Sequence, residues 1–208
     1  MMRLRFAATA AVLAALAALM AGCITLLPKT PPAQLYRFGA DQGAPAAPAA
    51  GRRFAVRAAA ITFETASASD QILTVEGDKT AYIGGARWIT SAVSLFESAV
   101  SQAFAAQGAS ARLLARGEAA QADYVLKLDV RRFEARYDHG LGAPPIVGVE
   151  VYAALDSPLH PDADRQRVFQ ASARADDNRV GAIVAAYDHA VSDALVAMVR
   201  WVDAKGEG

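Results

Sequence analysis

The stretch YVLKLDVRRFEARY, Tyr124 to Tyr137, decides the fold of this 208-residue chain. Tyr124, Leu126, Leu128 and Val130 alternate with Lys127, Asp129 and Arg131, the period of a strand with one face buried. After Val130 the parity flips, and Phe133, Ala135 and Tyr137 carry the apolar face on odd numbers. A side-chain period of two tolerates such a flip only if one residue is left unpaired, so the pattern predicts a single long, bent strand with a bulge at Arg131–Arg132.

Working outward, HGLGAPP from His139 to Pro145 is turn chemistry, and Val147, Val149, Val151, Ala153 and Leu155 form the returning strand. A second loop, DSPLHPDADR, leads to an outgoing strand with Phe169, Ala171, Ala173 and Ala175 on one face. Upstream, Phe54, Val56 and Ala58 mark one strand, Leu73 and Val75 another, and Ala81 to Ile83 a third. Val93, Phe96, Val100 and Phe104 recur at helical spacing behind Thr90 or Ser91 as N-cap, with Gly108 just past the end, which predicts a helix over Ser91 to Gln107. Val180, Val184, Tyr187, Val191, Leu195, Met198 and Val202 step by four and three through a long last helix. A helical partner would also suit that stripe, but a sheet needs a cover. The order implies an α+β fold, an antiparallel sheet with two amphipathic helices packed on one face.

The N-terminus is of a different kind. Arg3 and Arg5 precede an uncharged run from Phe6 to Met20, and the small residues Ala21 and Gly22 lead to Cys23, the single cysteine of the chain. That is a signal peptide's layout, residues 1–22, and with Cys23 it resembles a bacterial lipobox, in which Cys23 is acylated and becomes the mature N-terminus. Met20 stands where that motif most often has Leu. A membrane-spanning signal anchor is the alternative, but the run is dominated by Ala and stops at Pro28. Both readings leave everything after Cys23 outside the cytoplasm. A catalytic thiol would need a His beside a folded pocket, and Cys23 lies ahead of the domain.

Five of the nine prolines fall between Pro28 and Pro48. Residues 23–34 therefore read as a lipidated N-terminus and Pro-rich tether, with a reach of about 30 Å from Ile24 to Gln34. LYRF, Leu35 to Phe38, opens the domain, residues 35–208, and a low-complexity loop interrupts it at 39–52. Lys plus Arg equals Asp plus Glu at 21 each. Removal of Arg3 and Arg5 leaves 19 against 21, a faintly acidic mature chain with no call for nucleic acid. Without a second cysteine the domain holds no disulfide, so core burial must stabilise it.

Little in the chain points to catalysis. His160, Asp162 and Asp164, with Asp156 nearby, are oxygen-rich enough for a hard cation, but they lack an EF-hand's glycine and terminal glutamate, and a solvated turn is the simpler reading. Asp188, His189, Ser192 and Asp193 suggest a hydrolytic set, yet on a helix Asp188 faces Ser192 while His189 faces Asp193, so Ser and His point apart. Asp138 and His139 have no evident nucleophile. YIGGARW reads as a turn before a helix and lacks a phosphate-binding Lys and hydroxyl. Trp88 is either a staple onto the sheet or an interface anchor. No metal site and no cofactor are expected.

In sequence, the lipobox at Cys23, LYRF, YIGGARWITSAVSLFESAVSQAF, ADYVLKLDVRRFEARY and AIVAAYDHAVSDALVAMVRWV resemble the ABC-type transport auxiliary lipoprotein family, over about Leu35 to Val202. One departure is Ala60 to Asp70, where the family would have a proline-bearing strand end. The resemblance implies a non-enzymatic, lipid-anchored, periplasm-facing accessory of an inner-membrane ABC permease and ATPase and an MCE-domain protein, moving lipids or other apolar molecules between membranes. It also implies a homo-oligomer as one form of docking. Ile24 after the cysteine resembles the enteric pattern for the outer membrane. The alternatives are an envelope-assembly lipoprotein with another protein partner, and an envelope hydrolase.

Overall fold

The computed structural model describes residues 32–39, 54–157 and 165–206. Its elements run β1 (Gln34–Tyr36), β2 (Phe54–Ala58), β3 (Thr62–Phe63), β4 (Gln71–Glu76), β5 (Lys79–Trp88), α1 (Ala92–Gln107), β6 (Ala111–Leu113), β7 (Tyr124–Arg136), β8 (Ile146–Asp156), β9 (Gln166–Arg174) and α2 (Val180–Gly206). All belong to a compact unit that extends over Ala33–Gly208. The architecture is α+β, as the periodicities predict.

The long strand is the spine. One edge of β7 is taken antiparallel by β8, which pairs in turn with β9. The register slips between Val130 and Arg132. That slip keeps Phe133 inside, where it meets five other rings: Phe38 at 5.1 Å, Phe63 at 5.3 Å, Trp88 at 6.4 Å, Phe96 at 6.4 Å and Tyr187 at 4.8 Å between centroids. Without the bulge Arg132 would face the core and Phe133 would face water. Gly148 leaves room for the displaced arginine, since a Cβ there would stand 3.1 Å from Arg132 Nε.

The other edge of β7 corrects the expectation of an antiparallel sheet. Three short strands share it end to end, β2 at Tyr124–Leu126, β3 at Asp129–Val130 and β4 at Ala135–Arg136, and all three run parallel to β7. Beyond them β2 carries β6, also parallel, while β4 carries β5 in an antiparallel hairpin and β5 carries β1 in parallel. The sheet is therefore mixed, and it forks where β2 and β4 diverge. YIGGARW is part of β5 rather than a turn. Gln71 pairs with Arg87 but Leu73 with Tyr82, so the extra residues between them form a bulge that includes Gly85 at φ +71°.

Both helices lie on one face. α1 starts at the Ser91 cap, whose hydroxyl accepts from Ser94 N–H at 3.2 Å. Its Gly108 has an ordinary φ of −65°, so the glycine is there for space: a Cβ would sit 2.5 Å from Phe104 O and 2.8 Å from Ala111 O. α2 is long and apolar enough to cross a membrane by length and composition. Its stripe from Ile183 to Val202 is instead buried against β8, β9 and α1, which makes it the sheet's cover.

Candidate functional site

Cys23 lies outside the described residues, as do His160, Asp162 and Asp164. Asp156 beside them is spent on an ion pair with Lys127 at 2.6 Å, and hydrogen bonding to that carboxylate raises the Lys127 ammonium above its usual range. Among the described residues no group of three or more His, Cys, Asp or Glu side chains is placed to hold a metal ion.

Trp88 resolves toward the staple. It is 1 % exposed, its ring stands edge-on to Phe38 at 5.0 Å and to Tyr187 at 5.2 Å, and its backbone N–H donates to Asp70 O at 2.7 Å. Such a side chain cannot anchor a partner unless the core opens.

The polar residues of α2 act on the fold. Asp188 Oδ1 accepts from Gly39 N–H at 2.6 Å, while His189 and Asp193 are exposed. Gly39 is pinned from the other side too: its φ is +72°, and a Cβ would lie 2.6 Å from Ala99 Cβ. The turn after β1 is thus clamped between α1 and α2. Asp138 is held by Arg174 through 2.9 and 2.6 Å bonds, which hold its carboxyl down at about 2, with His139 Nδ1 3.6 Å away.

The forked sheet makes one feature that local sequence patterns missed. Just past the paired ends of β2 and β6, which form one branch of the fork, a cleft of about 450 Å³ opens beneath α1, lined by Ala58, Ile61, Val100, Leu113 and Leu114. Arg57 closes its side by donating to Ala120 O at 2.6 Å and Glu118 O at 3.3 Å. Glu97 and Arg116 pair at 2.9 Å beside it. The Ala115 N–H and Arg112 depress the Glu118 carboxyl nearby. An apolar floor with a paired, polar rim suits shape-based contact with an apolar group, and the Ser101 hydroxyl in the lining donates to Glu97 O at 3.1 Å. Its walls come from segments tens of residues apart, and only the fold brings them together.

The opposite face of the sheet is covered with mutually paired charges: Arg131 with Asp129, Arg136 with Glu134, and Arg132 with Glu150. The Arg131 guanidinium also stacks 4.3 Å over the Tyr152 ring.

The sequence profile described as ABC-type transport auxiliary lipoprotein component matches residues 36–199, from β1 to the last turns of α2. The chain belongs to this family. As a family member it is an auxiliary lipoprotein of an ABC-type transport system and resides in the cell envelope. Two solved structures share the fold. One, from Xanthomonas campestris, is 22 % identical with a TM-score of 0.66, covering 84 % of this chain and 97 % of its own. The other, an uncharacterized protein, is 12 % identical with a TM-score of 0.64, covering 82 % and 99 %. No curated protein sequence matches the auxiliary lipoprotein.

Proposed function

We propose that the chain is a non-enzymatic accessory of an ABC/MCE-type system that moves lipids or other apolar molecules between the inner and outer membranes. In this reading Cys23 carries the lipid anchor in the outer membrane, and the domain faces the periplasm. It docks on its MCE-domain partner, in one form as a ring of identical copies, and through it on the permease and ATPase. The observation that carries the reading is the family match over nearly the whole folded unit, downstream of a lipobox-like Cys23. The geometry is compatible: Asp188 is spent on a backbone contact and Asp138 on an ion pair, and the outer face of β7 and β8 carries paired charges. A tether of about 30 Å does not cross an envelope, so the partner must complete any bridge.

Cross-linking of intact cells with a C-terminally tagged chain tests the reading. An MCE-domain protein, permease and ATPase should co-purify. Recovery of cell-wall or outer-membrane assembly machinery in their place would overturn the transport role. Separately, Cys23→Ser should release the chain from membranes and stop transport; unchanged membrane association would end the anchor assignment.

A further inference from the structure

Leu35 and Ile89 are 61 % and 60 % exposed, more than any other large apolar side chain among the described residues. They lie on adjoining segments: Leu35 is in register with Arg87, and Ile89 N–H donates to Tyr36 O at 2.8 Å. Ala86 and Trp88 turn into the core, so Leu35 and Arg87 stand on the opposite face. Exposed Arg37 and Ile89 follow them. Arg87 is balanced by Asp70 at 3.0 Å, which leaves Arg37 to carry the face's net positive charge.

The position of this face gives it significance. β1 is the first strand, an edge strand, and Leu35 follows directly on the Pro-rich tether of residues 23–34. With Cys23 at the other end, the root of the domain stays within about 30 Å of the bilayer. A short linker holds its domain at an effective concentration on the order of millimolar, so a contact too weak to recruit a protein from solution becomes populated.

We propose that the face of β1 and β5 bearing Leu35, Arg37 and Ile89 lies on the bilayer that holds the anchor. The two apolar side chains enter the interfacial region, and Arg37 sits among anionic headgroups. The inference rests on the acylation of Cys23. It orients the domain: β1 is at the membrane, and β9, across the sheet, points away.

The test uses the full-chain lipoprotein in vesicles of phosphatidylethanolamine and phosphatidylglycerol. A photoreactive benzophenone amino acid replaces Leu35, Ile89 or, on exposed β9, Val168, and lipid adducts are read by intact mass. Adducts should form at positions 35 and 89 and not at 168, and Arg37→Glu should bring a loss of the adduct at 89. Equal labelling at 168, or none at 89, overturns the proposal. So does a protein adduct at 89 in place of a lipid adduct in intact cells. The mass of the N-terminal peptide reports acylation independently. Should Cys23 be unmodified, the anchor assignment falls, and coupling its thiol to a maleimide lipid tests the same face in the same way.

Discussion

Asp203, in the last turns of α2, receives three backbone N–H groups from the segment that links α1 to β6. Ala111 donates to Oδ1 at 2.7 Å, Ser110 to Oδ1 at 3.1 Å and Ala109 to Oδ2 at 3.0 Å. The same segment holds β2, since Phe54 N–H donates to Ser110 O at 3.1 Å. Asp203 thus joins the end of the covering helix to one branch of the fork. Hydrogen bonds to a charged group contribute about 1.5–3 kcal/mol each when fully made. Asp203 is half-buried and water recovers part of the loss, so removing all three should cost about 3 kcal/mol. Two effects oppose this. A carboxylate near a helix C-terminus is disfavoured by about 0.3–1 kcal/mol, and alanine is the better helix former by about 0.5 kcal/mol. The net prediction for Asp203→Ala is a destabilisation of about 2 kcal/mol. For a chain of this size that lowers Tm by about 4–8 °C in calorimetry at neutral pH. Asp203→Asn, which retains one acceptor oxygen, should fall between. The sign decides: a surface aspartate at a helix end would give an unchanged or raised Tm on replacement by alanine, and either result refutes the reasoning.

Gly39→Ala forces a Cβ against Ala99 at a positive φ and should cost about 2 kcal/mol, with the loss partly recovered in the Gly39→Ala/Ala99→Gly pair in a double-mutant cycle by denaturant unfolding. Asp138 has a depressed pKa of about 2, caused first by its Arg174 hydrogen bond, so its contribution to stability is present above the usual 3.8 and lost as pH falls through about 2. NMR titration of the carboxyl should show this, and Arg174→Gln should return the midpoint toward 3.8. Burial pushes the Tyr187 phenol well above 10, so the folded state holds that proton more tightly than the unfolded one; its contribution is intact below pH 10 and declines above it. Ultraviolet titration should therefore show Tyr187 ionising only with unfolding. Tyr187→Phe removes the donor to Leu73 O at 3.2 Å and should cost about 1 kcal/mol by thermal melting.

Much of the fold was legible locally. The parity flip after Val130 located a bulge that the ladder shows between Val130 and Arg132. The 3.6-residue stripes located both helices to within a residue or two of their N-termini. These readings succeed because burial of one face imposes its period on the sequence. Trp88 shows the limit: its composition and position suit a staple or an anchor equally, and only the rings of Phe38 and Tyr187 around it decide. β6, three residues long, is too short to display any period.

An export segment with a lipobox-like Cys23 and a tether ahead of the domain are expectations of the sequence. By itself the sequence determined the longer elements β7, β8, β9, α1 and α2 and their inward faces, while β3, β6 and the strand character of YIGGARW escaped it. It did not determine strand direction. Alternation is the same in parallel and antiparallel pairs, so nothing in Phe54–Ala58 or Gln71–Glu76 announces that both run parallel to β7. That choice follows from how the intervening hairpin and α1 cross over the sheet. With it come the fork, the cleft beneath α1, and the three amides at Asp203, all made by residues that meet only after the chain has closed on itself.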